Sequence, residues 1–217
     1  LRLQVYHLLQ HYSGEHFGNL LEYSAYDPYE FIRRKSIYSM GRIGYDSYIP
    51  HLVSIYFNEY LDERVHFNVV NTFDLMDTDK LESEAREHLN ANSSFPDKEE
   101  AWGQFKMRLE SRKRIASMAE TILDPNKKLA SRISAAIMLR NNAYHNSVDL
   151  YLEIVANPNE EESLRITLAE ALGWFTLSKN RDSIIKSFKE VAAQPQTPVK
   201  LRYELIKSIT RIEVYMR

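Results

Sequence analysis

The sequence predicts an all-α protein: an α-α superhelix, a right-handed solenoid of about six to seven helix-turn-helix repeats. Three observations carry this. Nearly every long segment places apolar residues at i, i+3, i+4 and i+7, the spacing of a helix that buries one face. Only 6 Gly and 7 Pro punctuate 217 residues, too few for a fold of many short strands and turns. Arginine recurs at a fixed interval: Arg33 and Arg132 stand 99 residues apart, three periods of 33, and Arg165 follows 33 later. A period in that range marks stacked supersecondary units, each too small to cover its own apolar face.

The intermediate steps of the period fall on His66 and Glu99, while Arg2 precedes Arg33 by 31 and Arg202 follows Arg165 by 37. Around these positions runs one template: apolar, Arg, two variable, small or apolar, two variable, a small-apolar pair, then Gly-like. Ile32, Arg33, Ser36, Ser39, Met40 and Gly41 fit it, as do Leu164, Arg165, Leu168, Ala171, Leu172 and Gly173. Each first helix is followed by a second. In repeat two this starts from Asp46 as N-cap and turns Ile49, Leu52, Val53 and Tyr56 inward, with Pro50 where its missing N–H is harmless. Asp27-Pro28, Asp124-Pro125, Asn157-Pro158 and the stretch from Pro195 to Pro198 supply the turns between units. One domain is expected, with repeats at roughly 1–26, 27–60, 61–93, 94–124, 125–157, 158–194 and 195–217. The fourth, from Pro96 to Leu123, reads equally as a helix pair or as one long helix broken at Gly103.

The segments DPYEFIRRKSIYSMGRIGYDSYIPHLVSIYF and NPNEEESLRITLAEALGWF resemble HEAT repeats, in particular the short bacterial HEAT-like units. Those have an Asp-Pro turn, a Val-Arg pair, an Ala-Leu-Gly ending and an Ile-Pro start to the second helix. The resemblance implies first helices on the convex side and second helices on the concave side. It also implies a structural ladder in which the recurrent Arg pairs with a turn Asp or Asn six residues earlier. Asp27, Asn126 and Asn159 match that place for Arg33, Arg132 and Arg165; Arg2 and Arg202 continue the Arg series. Tyr60 and Gln196 depart from it before His66 and Arg202.

A formal net charge of -2 and a pI near 6.4 argue against a surface built throughout for nucleic acid or anionic membrane. With no Cys, disulfides, thiolate nucleophiles and Cys-ligated zinc are excluded, while cytoplasmic and periplasmic or secreted locations remain equally open. No apolar run reaches the length of a membrane-spanning helix. The chain starts at Leu1, already in mid-helix pattern, which reads as a processing or truncation boundary.

Glu15-His16 and Glu87-His88 suggest a metal site, because the HEAT-like deoxyhypusine hydroxylases, similar in scaffold, bind two irons through His-Glu pairs. The order here is reversed and only two pairs occur, so solvent-exposed polar residues are expected, with no metal and no cofactor. No Ser, Thr or Lys stands in a nucleophile setting, and Gly41 and Gly44 read as helix C-caps rather than a phosphate loop. The expectation is therefore a non-catalytic scaffold that binds a protein or peptide on its concave face. Its contact residues would be Tyr48, His51, Ser54 and Asn58 in repeat two, with Lys186 and Glu190 in repeat six. The alternative is nucleic-acid binding through Trp102, Lys106, Arg108, Arg112, Lys113 and Arg114, a basic cluster with an aromatic one turn before it. Overall acidity and the interleaved Glu99, Glu100 and Glu110 disfavour that partner.

Overall fold

The computed structural model describes residues 15–57, 62–92, 97–110 and 114–214, with side chains from Asn19 onward except Arg114. Among them every regular element is helical. The helices are α1 (Glu15–Ser24), α2 (Glu30–Ile43), α3 (Ile49–Tyr56), α4 (Glu63–Phe73), α5 (Thr78–Ala91) and α6 (Lys98–Glu110). Then follow α7 (Arg114–Leu123), α8 (Leu129–Leu139), α9 (Val148–Ala156), α10 (Glu162–Leu172), α11 (Arg181–Ala193) and α12 (Val199–Val214). Single 3-10 turns, Asp46–Tyr48 and His145–Ser147, lead into α3 and α9. The residues that would distinguish a helix pair from one long helix in repeat four, 111–113, lie outside the described set.

Local chemistry sets the boundaries. Asp62 and Asp77 cap α4 and α5 by accepting from the N–H groups of Arg64 and Lys80, which have no partner within the helix. Asp46 does not act as the expected cap: α3 begins three residues later, and the Asp46 carboxylate instead meets Lys80 Nζ of α5 at 2.6 Å. At the turns, Asp27, Asp124 and Asn157 each precede Pro, and each side chain accepts from the N–H two residues on, in Tyr29, Asn126 and Asn159. Gly44 ends α2 with φ 78°, the left-handed conformation in which its N–H closes onto Met40 O.

The chain divides into two compact units, Leu1–Arg114 and Ile115–Arg217. In the first, α2 packs along α4 and α3 along α5, so first helices form one layer and second helices another. The second repeats the plan, with α8, α10 and α12 side by side and α9 beside α11. Its core is one continuous cluster that includes Leu139, Tyr151, Leu168, Phe175, Phe188 and Leu205.

The Gly-like end of the template has a packing cause. Gly41 lies inside α2, not at a cap, and a Cβ there would stand 3.0 Å from Thr72 Cγ2 of α4. A Cβ on Gly173 would collide with Ser208 Oγ and stand 2.6 Å from Arg211 Nη1 of α12. Ser208 Oγ donates across the layer to Ala169 O of α10, while Thr72 Oγ1 donates at 2.9 Å to Asn68 O of its own helix and lies 3.3 Å from Ile37 O of α2. Small residues thus let neighbouring first helices approach closely enough for a side chain to reach the next helix backbone.

The recurrent Arg serves the backbone. Arg132 Nε donates to Ile122 O and Arg165 Nε to Val155 O, each 2.9 Å and each ten residues upstream, at the C-terminal end of the preceding helix. Arg33 donates to the carbonyls of Asp27 and Pro28, and Arg202 to those of Gln194, Pro195 and Thr197. These groups are therefore spent on helix-end and turn carbonyls, not on the side chains of Asn126 and Asn159. Arg132 also holds Glu160 in a two-bond fork at 3.0 and 2.8 Å, which keeps that carboxyl below the usual carboxylate range. Arg2 lies outside the described residues.

At His66 the series changes chemistry. Ten residues upstream stands Tyr56, and the imidazole lies 4.8 Å from its ring, at 32°, in place of a guanidinium on a carbonyl. Phe73 and Phe105 pack on the same tyrosine at 5.6 and 5.1 Å. Burial, and secondarily the positive charge of Arg108, pull the His66 pKa below its ordinary 6.5.

Two outcomes follow from this packing. Gly173→Ala should cost about 1–3 kcal/mol in denaturant unfolding, since a side chain must be driven into a filled interface. Gly103→Ala, where a Cβ meets nothing within 4 Å, should instead add about 0.5–1 kcal/mol. For His66, the unfolded chain takes up a proton at a higher pH than the folded one, so its neutral-form stabilisation is full above pH 6.5 and declines below it. The melting temperature should fall between pH 7 and 5, and fall less in His66→Gln; equal slopes in the two proteins would dismiss the assignment.

Candidate functional site

The residues expected to face a partner from α3 and the 3-10 turn before it are turned toward α1 and the turn after it. Tyr48 is 0% exposed, and its hydroxyl is buried with no hydrogen-bond partner among the described residues. Burial, then the neighbouring Tyr45 and the charge of Glu22, push that phenol far above its ordinary range. His51 Nε2 lies 3.4 Å from Glu22 Oε2 and its ring meets Tyr26 edge-on at 6.2 Å. Ser54 is the hydrogen-bond partner of the Tyr26 hydroxyl, whose pKa burial raises. A helix in a stack has neighbours on both sides, so the face opposite its apolar stripe is not free by default. Asn58 lies outside the described residues.

Lys186 and Glu190 are exposed on α11, beside Asp182, Ile185 and Lys189, in a shallow depression that only α11 lines. They belong to the second unit, and Tyr48, His51 and Ser54 to the first. The basic cluster is likewise dispersed in role. The Arg86 guanidinium sits 3.9 Å from the Trp102 ring centroid and Phe105 stacks 6.0 Å from it, so the ring is used internally rather than held open for a base. Lys106 and Arg108 are exposed, Arg112 and Lys113 lie outside the described residues, and Arg114 opens α7. His88 stacks on Phe57 at 5.5 Å. Among the described residues no group of three or more His, Asp or Glu is placed to hold a metal.

A different face gathers exposed chemistry. The residues α2 buries are Ile32, Ser36, Ile37, Ser39, Met40, Gly41 and Ile43, which leaves Phe31, Arg34, Lys35, Tyr38 and Arg42 as a second stripe at i, i+3, i+4, i+7 and i+11. Against α4 this stripe opens a groove of about 200 Å³ lined by Phe31, Arg34, Lys35, Tyr38 and Asn68. Tyr38 is 55% exposed, and Phe67, beside Asn68, 60%. The Lys35 ammonium stands 5.7 Å from the Phe31 ring centroid. Among the described residues no carboxylate lines the groove; Glu30, one turn earlier, meets Arg34 Nη1 at 3.3 Å and Arg64 Nη1 at 3.9 Å. Arg34 Nε is buried, and no acceptor among the described residues reaches it.

Comparison with protein-family models and with curated proteins finds no match. Among solved structures the chain is similar to human deoxyhypusine hydroxylase in complex with glycerol, at 17% identity and a TM-score of 0.34, over 98% of this chain and 90% of that one. That neighbour is an enzyme, so the expectation of a non-catalytic scaffold without enzymatic activity loses its support and is withdrawn. At this TM-score neither that enzyme's iron chemistry nor its substrate passes to this chain. What stands is the all-α chain itself, and among the described residues no helix is long and apolar enough to cross a membrane.

The groove was visible in sequence as the other side of α2. The helix carries two stripes, and the apolar one drew the reading because its partner repeats at a period of 33. Phe31, Arg34, Lys35 and Tyr38 do not recur at that period, so they stand outside the stacking pattern.

Proposed function

We propose that the first unit recognises an anionic ligand, a carboxylate- or phosphate-bearing group, in the groove between α2 and α4, with its helices stacked as helix-turn-helix repeats. The observation that carries this is the pair Arg34 and Lys35 lining a groove in which no carboxylate stands among the described residues. Glu30 engages Arg34 through Nη1 and the side chain remains 39% exposed, so the guanidinium can still meet an incoming oxygen. Lys35 adds a second positive charge, and Asn68 an amide that can donate or accept. Phe31 and Tyr38 supply apolar walls that lower the local dielectric and strengthen both charges.

The groove is too small for a whole cofactor, since drug-sized pockets run to about 300–1,000 Å³. Its volume suits one or two side-chain-sized groups of a larger ligand. Arg34→Glu with Lys35→Glu should abolish binding of polyglutamate at about 50 mM salt, where charge attraction is least screened. Arg34 also pairs with Glu30, so Lys35→Glu alone, at an exposed position, is the control: it should weaken binding while the melting temperature moves by no more than about 2 °C. Undiminished binding in the double variant, or no polyanion binding by the natural chain, overturns the proposal.

A further inference from the structure

Resting on that reading, we infer that the groove's occupant is an acidic polypeptide segment in which two apolar side chains bracket carboxylates. The order of groups along α2 sets this pattern. Phe31 and Tyr38 stand seven residues apart, about 10 Å along a helix axis, with Arg34 and Lys35 between them. A segment in the polyproline-II conformation advances about 3.1 Å per residue with three residues per turn, so residues three apart lie on one side of it, about 9 Å apart, and match the two rings. The two residues between them project from the segment's flanks at the level of Arg34 and Lys35. The complement is therefore apolar, acidic, acidic, apolar.

A nucleic acid matches the groove less well. Its affinity comes from many phosphates tracked by many cations, and here two cations line the groove in a chain of net charge -2. An anionic bilayer fails on the same count, since each basic residue contributes about 1 kcal/mol at a membrane surface and stable attachment needs a cluster of them. Two cations flanked by rings instead match a short segment whose affinity is shared between charge and apolar contact. Phe67 at 60% exposure and Tyr38 at 55% are the aromatic surface such a segment would cover.

The test uses the whole chain and four probes in fluorescence anisotropy: a labelled peptide with Leu-Asp-Glu-Leu at its centre, the same peptide with Leu-Asn-Gln-Leu, a labelled dodecathymidylate, and vesicles containing phosphatidylserine. The acidic peptide should bind, and its amide counterpart at least about tenfold more weakly. Arg34→Ala with Lys35→Ala should weaken the acidic peptide by a similar factor. Tyr38→Ala, at an exposed position that leaves folding intact, should weaken both peptides. Binding of thymidylate or vesicles but not peptide, lost in Arg34→Ala with Lys35→Ala, overturns this inference and leaves anion recognition standing. No binding of any probe overturns both. Peptide binding that neither variant changes removes the groove as its location.

Discussion

A helix ends with carbonyls that have no partner in the helix, and in a chain of short helices those ends are many and partly buried. Most of this architecture answers that constraint. Arg132 and Arg165 reach back ten residues to Ile122 O and Val155 O, joining the start of one repeat to the end of the helix before it. A guanidinium suits the task because it keeps its charge and presents several donors in a fixed plane, so one side chain can serve a carbonyl and still fork onto Glu160. A charge-assisted bond of this kind is worth about 1.5–3 kcal/mol, and its loss would leave a buried acceptor unsatisfied as well.

The same dependence explains why first helices carry small residues where they do. With the turn held by Arg, the angle between consecutive repeats is constrained and neighbouring first helices are brought close. Gly41 over Thr72 and Gly173 over Ser208 stand where a Cβ would crowd the neighbouring helix, and the Ser208 hydroxyl there satisfies the Ala169 carbonyl across the layer. His145 and Ser178, themselves 33 residues apart, make the corresponding link at the start of the second helices, 2.9 Å between Nδ1 and Oγ. Cohesion in each unit is therefore apolar in bulk and polar at fixed points that repeat with the period.

The fold was legible in the sequence to the extent that it is periodic. Apolar spacing placed the helices, and the recurrence of Arg located the joints. Partners of the periodic residues were less legible. The resemblance to HEAT repeats pointed Arg132 toward Asn126, whereas Asn126 gives its backbone N–H to Asp124 and the guanidinium goes to a main-chain oxygen that no residue type announces. Tyr48 is hidden for another reason: helical phase says which residues share a face, but not whether that face meets solvent or the preceding helix. Glu22 and Tyr26, which contact the half-buried His51, belong to a different repeat and share no local pattern with it.

That difference bears on where recognition can reside. Residues that hold the stack must recur, because every joint poses the same problem, while residues that select a ligand need occur only once. His66 shows the stack tolerating an exception: a ring on Tyr56 replaces a guanidinium on a carbonyl, and the aromatic cluster of Phe57, Phe73 and Phe105 compensates in packing. The outer stripe of α2 is an exception without such compensation. Phe31 and Tyr38 remain exposed, and Arg34 keeps a buried nitrogen that meets no acceptor among the described residues. Exposed rings gain little from burial, and the cations between them have Glu30 and the Phe31 ring as neighbours without being enclosed by the stack. On the function we propose, what this surface is shaped to meet is negative charge between two apolar contacts.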